Sequence, residues 1–211
     1  MTKRFFGVGA MILVLCTAAF RADAAFYLRP EVQFGSMPGY NSSIGVGGAL
    51  AWGGAFGLEQ RFEVGVEFSR IRYEGGKYDH RDLDGGVLVT RKISSTCTVT
   101  PIQAAFRYIF VTDNKKVRPY LGISLGHSVV DFDLPHKNIF GDSGDCWSGS
   151  LGGGLSYQLG RRTSVNFGYR YFFSDAYGSR ASNSYPVVTN FRPNAHVFSL
   201  AITHLLGRLR K

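Results

Sequence analysis

The chain has 211 residues, 45% of them hydrophobic, and carries 24 Lys and Arg against 15 Asp and Glu for a formal charge of +9. That length suits a single domain, and the apolar content excludes an intrinsically disordered chain. With 27 glycines, 14% aromatics and 7 prolines, the composition favours strands and tight turns over packed helices.

Residues 1–24 open with MTKR, continue as FFGVGAMILVLCTAAF and end on Ala22-Asp23-Ala24. A basic start, an apolar run and an A-x-A site are the signature of a secretory signal peptide, with cleavage expected after Ala24. Cys16 follows Leu15, where a lipidated leader places a small residue, so a lipid anchor is not expected. Loss of Lys3, Arg4, Arg21 and Asp23 with the leader lowers the charge from +9 to +7. On an exported chain this basic balance points to phosphorylated lipid heads rather than nucleic acid. Beyond the leader no stretch approaches the ~20 apolar residues of a membrane-spanning helix. Cys97 and Cys146 remain in the mature chain. An exported protein meets an oxidising compartment, so a single disulfide is expected, with two buried free thiols as the alternative.

Eight segments then alternate apolar and polar residues with period two, the mark of strands. The first, 26–36, sets Phe26, Leu28, Val32 and Phe34 against Tyr27, Arg29, Glu31 and Gln33, with Pro30 on its apolar face. The second, 43–53, sets Ile44, Val46, Leu50 and Trp52 against a row of Gly and Ala. In the third, RFEVGVEFSR at 61–70, Phe62, Val64, Val66 and Phe68 oppose Arg61, Glu63, Gly65 and Glu67. The fourth, 97–110, sets Ile102, Ala104, Phe106 and Tyr108 against Gln103, Ala105 and Arg107. The fifth, 118–131, sets Leu121, Ile123 and Leu125 against Tyr120 and a Gly/Ser row. The sixth, 147–159, repeats that contrast with Trp147, Leu151, Leu155, Tyr157 and Leu159. The seventh, 163–173, sets Val165, Phe167, Tyr169, Tyr171 and Phe173 against Ser164, Asn166, Gly168 and Arg170. The eighth, 195–206, sets Phe198, Leu200, Ile202 and Leu206 against Val197, Ser199, Ala201 and Thr203.

Connections alternate too. GAFGLEQ, VTDNKKV and GRRT are short, whereas long polar stretches lie near 73–96, 132–146 and 174–194. Short turns at one end and long loops at the other are the layout of a membrane barrel. Two aromatic belts are expected: Phe26, Trp52, Phe62, Tyr108, Tyr120 and Tyr157 at the inner end, and Phe34, Phe68, Tyr73, Phe132, Trp147, Tyr171 and Phe173 at the outer end. A soluble barrel or sandwich would turn its bulky face inward, but eight rows of Phe, Leu, Ile and Trp overfill so narrow an interior. The expected fold is therefore an all-β, eight-stranded antiparallel up-and-down transmembrane β-barrel. Its interior would hold a charge network of Arg29, Glu31, Arg61, Glu63, Glu67, Arg107 and Arg170, because buried charges need partners. A narrow gap is expected where the small rows of the second and sixth strands face each other.

Several motifs suggest chemistry and fail on spacing. GDSGD at 141–145 lacks the second glycine and the His and Asp context of a serine protease. DHRDLDGG at 79–86 begins like a calcium loop, but no Glu closes it. Glu63 and Glu67 lie four residues apart on a strand, about 13 Å, too far for a glycosidase pair. A barrel deacylase would need a His and a Ser on one strand face, whereas His127 and Ser128 are adjacent and His196 and Ser199 are three apart.

The leader, the stretches RPYLGISLGH and NFGYRYFF, and the closing HVFSLAITHLL together resemble the small outer-membrane β-barrel family of the OmpA/OmpX type, including opacity-protein-like surface antigens. The resemblance implies a barrel over 25–207, a basic periplasmic tail at 208–211 and residence in the cell outer membrane. It implies a non-catalytic surface protein, acting in adhesion, surface binding or envelope integrity through extracellular loops; a narrow passive channel and a lipid A-modifying enzyme are the alternatives. The implied partners are outer-membrane lipid or lipopolysaccharide and a host or neighbouring-cell ligand, with no nucleic acid, no cofactor, no metal and a monomeric state. The chain departs from the family at its end, LLGRLRK, where Leu206 stands in place of the usual terminal aromatic.

Overall fold

The computed structural model describes residues 25–41, 43–56, 60–84, 87–110, 112–114, 116–133, 142–178 and 189–206. The expected leader and the basic tail lie outside them. The strands are β1 (Ala25–Ser36), β2 (Ser43–Phe56), β3 (Gln60–Asp84), β4 (Val87–Ile109), β5 (Val117–Asp133), β6 (Asp142–Gln158), β7 (Thr163–Ser174), β8 (Tyr177–Gly178), β9 (Thr189–Phe191) and β10 (Ala195–Leu205). Eight of them close into an antiparallel barrel in the order β1-β10-β7-β6-β5-β4-β3-β2, and β8 and β9 form a separate two-stranded sheet. Closure joins the two ends of the chain, from Tyr27 opposite Leu205 to Ser36 opposite His196. It leaves no barrel edge unpaired, which a membrane-spanning sheet requires.

The period-two pattern decides which side chains point outward. Phe68 is 57% exposed while Glu63 is only 6% exposed, so the apolar row faces out and the charged row faces in. Leu28, Val46, Ile102, Ile123, Leu151, Phe167 and Leu200 are likewise exposed on the other strands. Such a continuous apolar exterior is stable against lipid and not against water.

Two expectations about loops and belts are corrected. The stretch at 73–96, expected as a polar loop, is a paired hairpin in which β3 and β4 continue to Asp84 opposite Val87, with an irregularity between Glu74 and Lys77. Backbone pairing needs no alternating apolar row, and Val87, Val89, Thr90 and Ile93 are residue types that favour extended backbone. Tyr73, Phe132 and Tyr120, assigned to the belts, instead point into the barrel. Each has the parity of the inward row, which outweighs its aromatic character.

The interior has two zones. Toward the mouth beneath the tall hairpin, Met37, Ile71, Tyr73, Cys97, Val99, Val130, Phe132, Cys146, Phe172, Ala195 and Val197 form an apolar cluster, with Tyr40 packed against it. Below it the interior is polar and charged. Large residues there rely on small ones opposite: a Cβ at Gly154 would come within 2.7 Å of the Tyr120 hydroxyl, and one at Gly168 would also fall on it.

Candidate functional site

The polar zone is organised by one chain of alternating charges. Arg107 meets Glu63 at 3.6 Å, Glu63 meets Arg29 at 3.1 Å, and Arg29 also meets Glu67. Glu67 meets Arg170 at 3.1 Å, and Arg170 meets Glu31 at 3.0 Å. Three arginines thus alternate with three glutamates and balance them, drawing side chains from β1, β3, β4 and β7 across the lumen. The Glu63–Arg107 contact joins residues directly opposite on adjacent strands. Arg29 and Arg170 reach across the barrel, which its small diameter allows. Of the expected network only the Arg61 side chain lies outside the described residues; its backbone pairs with Ile109.

Both ends of the charge chain pass into neutral groups. The Arg107 guanidinium lies 3.3 Å from the centroid of the Tyr120 ring and donates to Asn166 Oδ1 at 3.3 Å, while Asn166 Nδ2 donates to Thr203 at 2.9 Å. At the other end Gln33 Nε2 donates to Glu31. A second ladder runs along β4, β5 and β6: Gln103 Nε2 donates to Ser148 at 2.9 Å, Ser124 to Gln103 Oε1 at 2.7 Å, and Ser128 to Ser148 at 2.7 Å. Sequence reasoning missed this ladder and the role of Tyr120. Their inward parity was readable, but their partners depend on barrel stagger, which a linear pattern does not carry.

A cavity of about 60 Å³ lies beside the charges, lined by Arg107, Tyr120, Ser124, Ser150, Gly152 and Arg170 among others. It follows the small rows of β5, β6 and β7. No residue of β2 lines it, so the expected gap between the second and sixth strands is displaced toward β5 and β7. Arg107 Nε, buried and without a protein partner, belongs to a residue of this lining, where a cavity of that size has room for water.

Cys97 and Cys146 are buried free thiols, so the structure departs from the expected disulfide. Cys97 lies opposite Phe132 and Cys146 opposite Ser128, with β5 between them. Four residues along β5 separate those partners by about 13 Å, beyond the reach of a disulfide without backbone movement. Cys97 sits above the apolar band, at the level of Arg72 and Thr98, and burial pushes its thiol up to about 12.

On the outer face His127 Nδ1 stands 3.6 Å from Asp145 Oδ2, and the His127 ring packs edge-on against Trp147. The arrangement orients a base, but its same-face neighbour two residues on is Val129. Ser128 points inward and is fully buried. The GDSGD stretch, expected in a loop, lies in β6 from Asp142 onward, and the first six residues of DHRDLDGG lie in β3. Among the described residues no group of three or more His, Cys, Asp and Glu could hold a metal.

Closed strand order, lipid-facing apolar rows and a charged interior define an outer-membrane β-barrel protein. The chain matches the outer membrane protein beta-barrel domain family over residues 8–202 and belongs to it. Among solved structures, Neisserial surface protein A is 20% identical, with 86% of this chain and 97% of that one covered at a TM-score of 0.46. Ail of Yersinia pestis, solved with the heparin analogue sucrose octasulfate, is 13% identical, covering 87% of this chain and 97% of its own at a TM-score of 0.46. The outer membrane enzyme PagL is 13% identical, covering 83% and 98% at a TM-score of 0.39. No curated protein matches the chain.

Proposed function

We propose that this barrel is a non-catalytic surface protein of the outer membrane that binds through its extracellular segments, above all the β3–β4 hairpin. The observation that carries this reading is the reach of that hairpin. A transmembrane strand needs about 9–11 residues, yet β3 has 25 and β4 has 23. From Ser69 to Asp84, β3 climbs beyond its last lipid-facing apolar residue by about 50 Å of strand. The filled interior supports the same reading, since an apolar cluster caps the charge chain and leaves little for a conduction path. Among the described residues no serine shares the outward face of β5 with His127, which argues against the deacylase alternative. In this reading the protein is exported by its leader, works as a monomer, and meets outer-membrane lipid or lipopolysaccharide on its wall and a host or neighbouring-cell ligand at its hairpin.

The test is to replace residues 77–94 by a two-residue turn and measure attachment of cells displaying the protein to host cells and to neighbouring bacteria. The shortened protein is expected to reach the outer membrane, show heat-modifiable gel migration and lose attachment. Full attachment by the shortened protein overturns the reading, as does an altered lipid A profile when wild-type protein is overexpressed.

A further inference from the structure

We propose that the cavity beside Arg107 is a binding site for a small monovalent anion of halide size, held at the positive end of the charge chain. This goes beyond the surface reading above and does not depend on the hairpin.

The charge chain balances as a whole, but its two ends are unlike. At the negative end Glu31 accepts from Arg170 and from the Gln33 amide, so its charge is capped by donors. Arg107, at the positive end, has no carboxylate to itself among the described residues. Glu63 Oε2 stands 3.6 Å from it and is closer to Arg29, at 3.1 Å. Its other acceptor, Asn166 Oδ1 at 3.3 Å, is neutral. Arg107 is only 6% exposed, and a buried cation that shares its one counter-charge is undercompensated.

Geometry directs the remaining donor. The Tyr120 ring covers one face of the Arg107 guanidinium, and the N–H donors lie in the guanidinium plane. Nε–H and one Nη2–H of any arginine point to the same side, and Arg107 Nη2 donates to Asn166. Arg107 Nε, buried and without a protein partner, therefore faces the side on which Asn166 lies, and both residues line the cavity. Asn166 Nδ2 keeps a second N–H besides the one given to Thr203, and Ser199 brings a hydroxyl to the same lining.

Charge and size select the ligand. The lining holds Arg29, Arg107 and Arg170 against Glu31 and Glu67, while Glu63 is not part of it, so the walls carry a local excess of one positive charge. Both lining carboxylates already accept from Arg29 or Arg170. Water can satisfy the Arg107 Nε–H but leaves that excess in place, whereas a monovalent anion answers both in one charge-assisted contact. Sulfate brings a second charge that the lining does not match. The volume of about 60 Å³ is several times the ~10–15 Å³ that one water needs, so a halide fits with part of its hydration.

Gly122 lies directly opposite Arg107 and lines the cavity, and a Cβ there would meet only Phe106 O at 3.4 Å and Arg107 Cγ at 4.0 Å. Gly122→Leu therefore fills the site without removing a charge. The full-length protein would be refolded in sodium chloride, with chloride binding read by chlorine NMR line broadening, and crystals grown in sodium bromide would locate the ion by its anomalous signal. Wild-type protein is expected to broaden the chloride line saturably, with competition by bromide and none by gluconate or sulfate. The bromide peak is expected within hydrogen-bond reach of Arg107 Nε. Gly122→Leu should lose both signals while keeping heat-modifiable migration. Absence of the bromide peak from wild type overturns the proposal whether or not the variant folds. So does a peak without saturable broadening in solution, which would mark an adventitious ion only, and so do wild-type signals from folded Gly122→Leu.

Discussion

Glu63 is held between two arginines, whereas Glu31 ends the charge chain against one arginine and an amide. Breaking a buried pair strands a charge and costs about 3–5 kcal/mol, far more than the pair itself contributes over an apolar replacement. Glu63→Gln is therefore expected to lower the unfolding free energy in lipid bilayers by about 3 kcal/mol or more, with Glu31→Gln costing markedly less. Urea titration of both variants in liposomes checks the order, and equal losses would show that the chain does not act as a linked series. The thiol of Cys97 gives a second prediction. Its folded value lies above the ordinary 9.0 because of burial, so the thiol stays neutral in the fold while the unfolded chain ionises. The contribution of Cys97 to stability is thus full below pH 9 and falls as pH rises toward 12. Cys97→Ser should flatten that alkaline loss in a pH series of unfolding midpoints. Parity alone made the inward direction of Arg29, Glu63, Glu67, Arg107 and Arg170 readable. The order in which they pair was not, because Arg170 finds Glu67 and Glu31 only once the strands are staggered and the barrel closed. The disulfide expectation failed for the same reason: compartment and cysteine count say nothing of the offset along β5 between the residues opposite Cys97 and Cys146.

At the scale of elements, the alternating pattern located the eight barrel strands, and most boundaries fall within a residue or two of the observed ones. It failed where alternation stopped but pairing did not. RFEVGVEFSR is the membrane-spanning part of β3, and the strand backbone continues to Asp84, first through Ile71 and Tyr73, which point into the apolar cluster, and then through a stretch whose sequence no longer alternates. The base of the resulting hairpin is tied down from a second direction, because Asn41 N donates to Glu74 O at 2.8 Å and Tyr40 bridges to Gly75. Below that tie the apolar cluster around Tyr73, Val99 and Val130 packs as a soluble core would. Removal of residues 77–94 should therefore leave the barrel's unfolding midpoint close to that of wild type, whereas Tyr73→Ala, which empties a fully buried position, should cost about 3–5 kcal/mol. A large midpoint shift in the shortened protein would mean that the hairpin above the tie is part of the folding unit.

For the whole molecule, the question raised by eight strands is whether the interior carries solutes or only holds the wall together. Eight-stranded barrels are just wide enough for side chains to fill them, and here two different fillings are stacked. The charge chain crosses the lumen through β1, β3, β4 and β7, and the cluster of Met37, Tyr73, Phe132 and Phe172 closes the space between it and the mouth beneath the β3–β4 hairpin. The 60 Å³ cavity beside Arg107 lies below that cluster. An ion entering by that mouth would have to displace the buried side chains of this cluster and then compete with charges already neutralised by their partners. Purified protein in planar bilayers is thus expected to show no discrete conductance across moderate voltages. The combination Tyr73→Ala with Phe172→Ala, which removes two rings from the cluster while sparing every charge, should be the variant that begins to leak. Steps of well-defined conductance in the wild-type protein would mean that the cluster opens in the membrane, and would move the functional reading from the hairpin to the lumen.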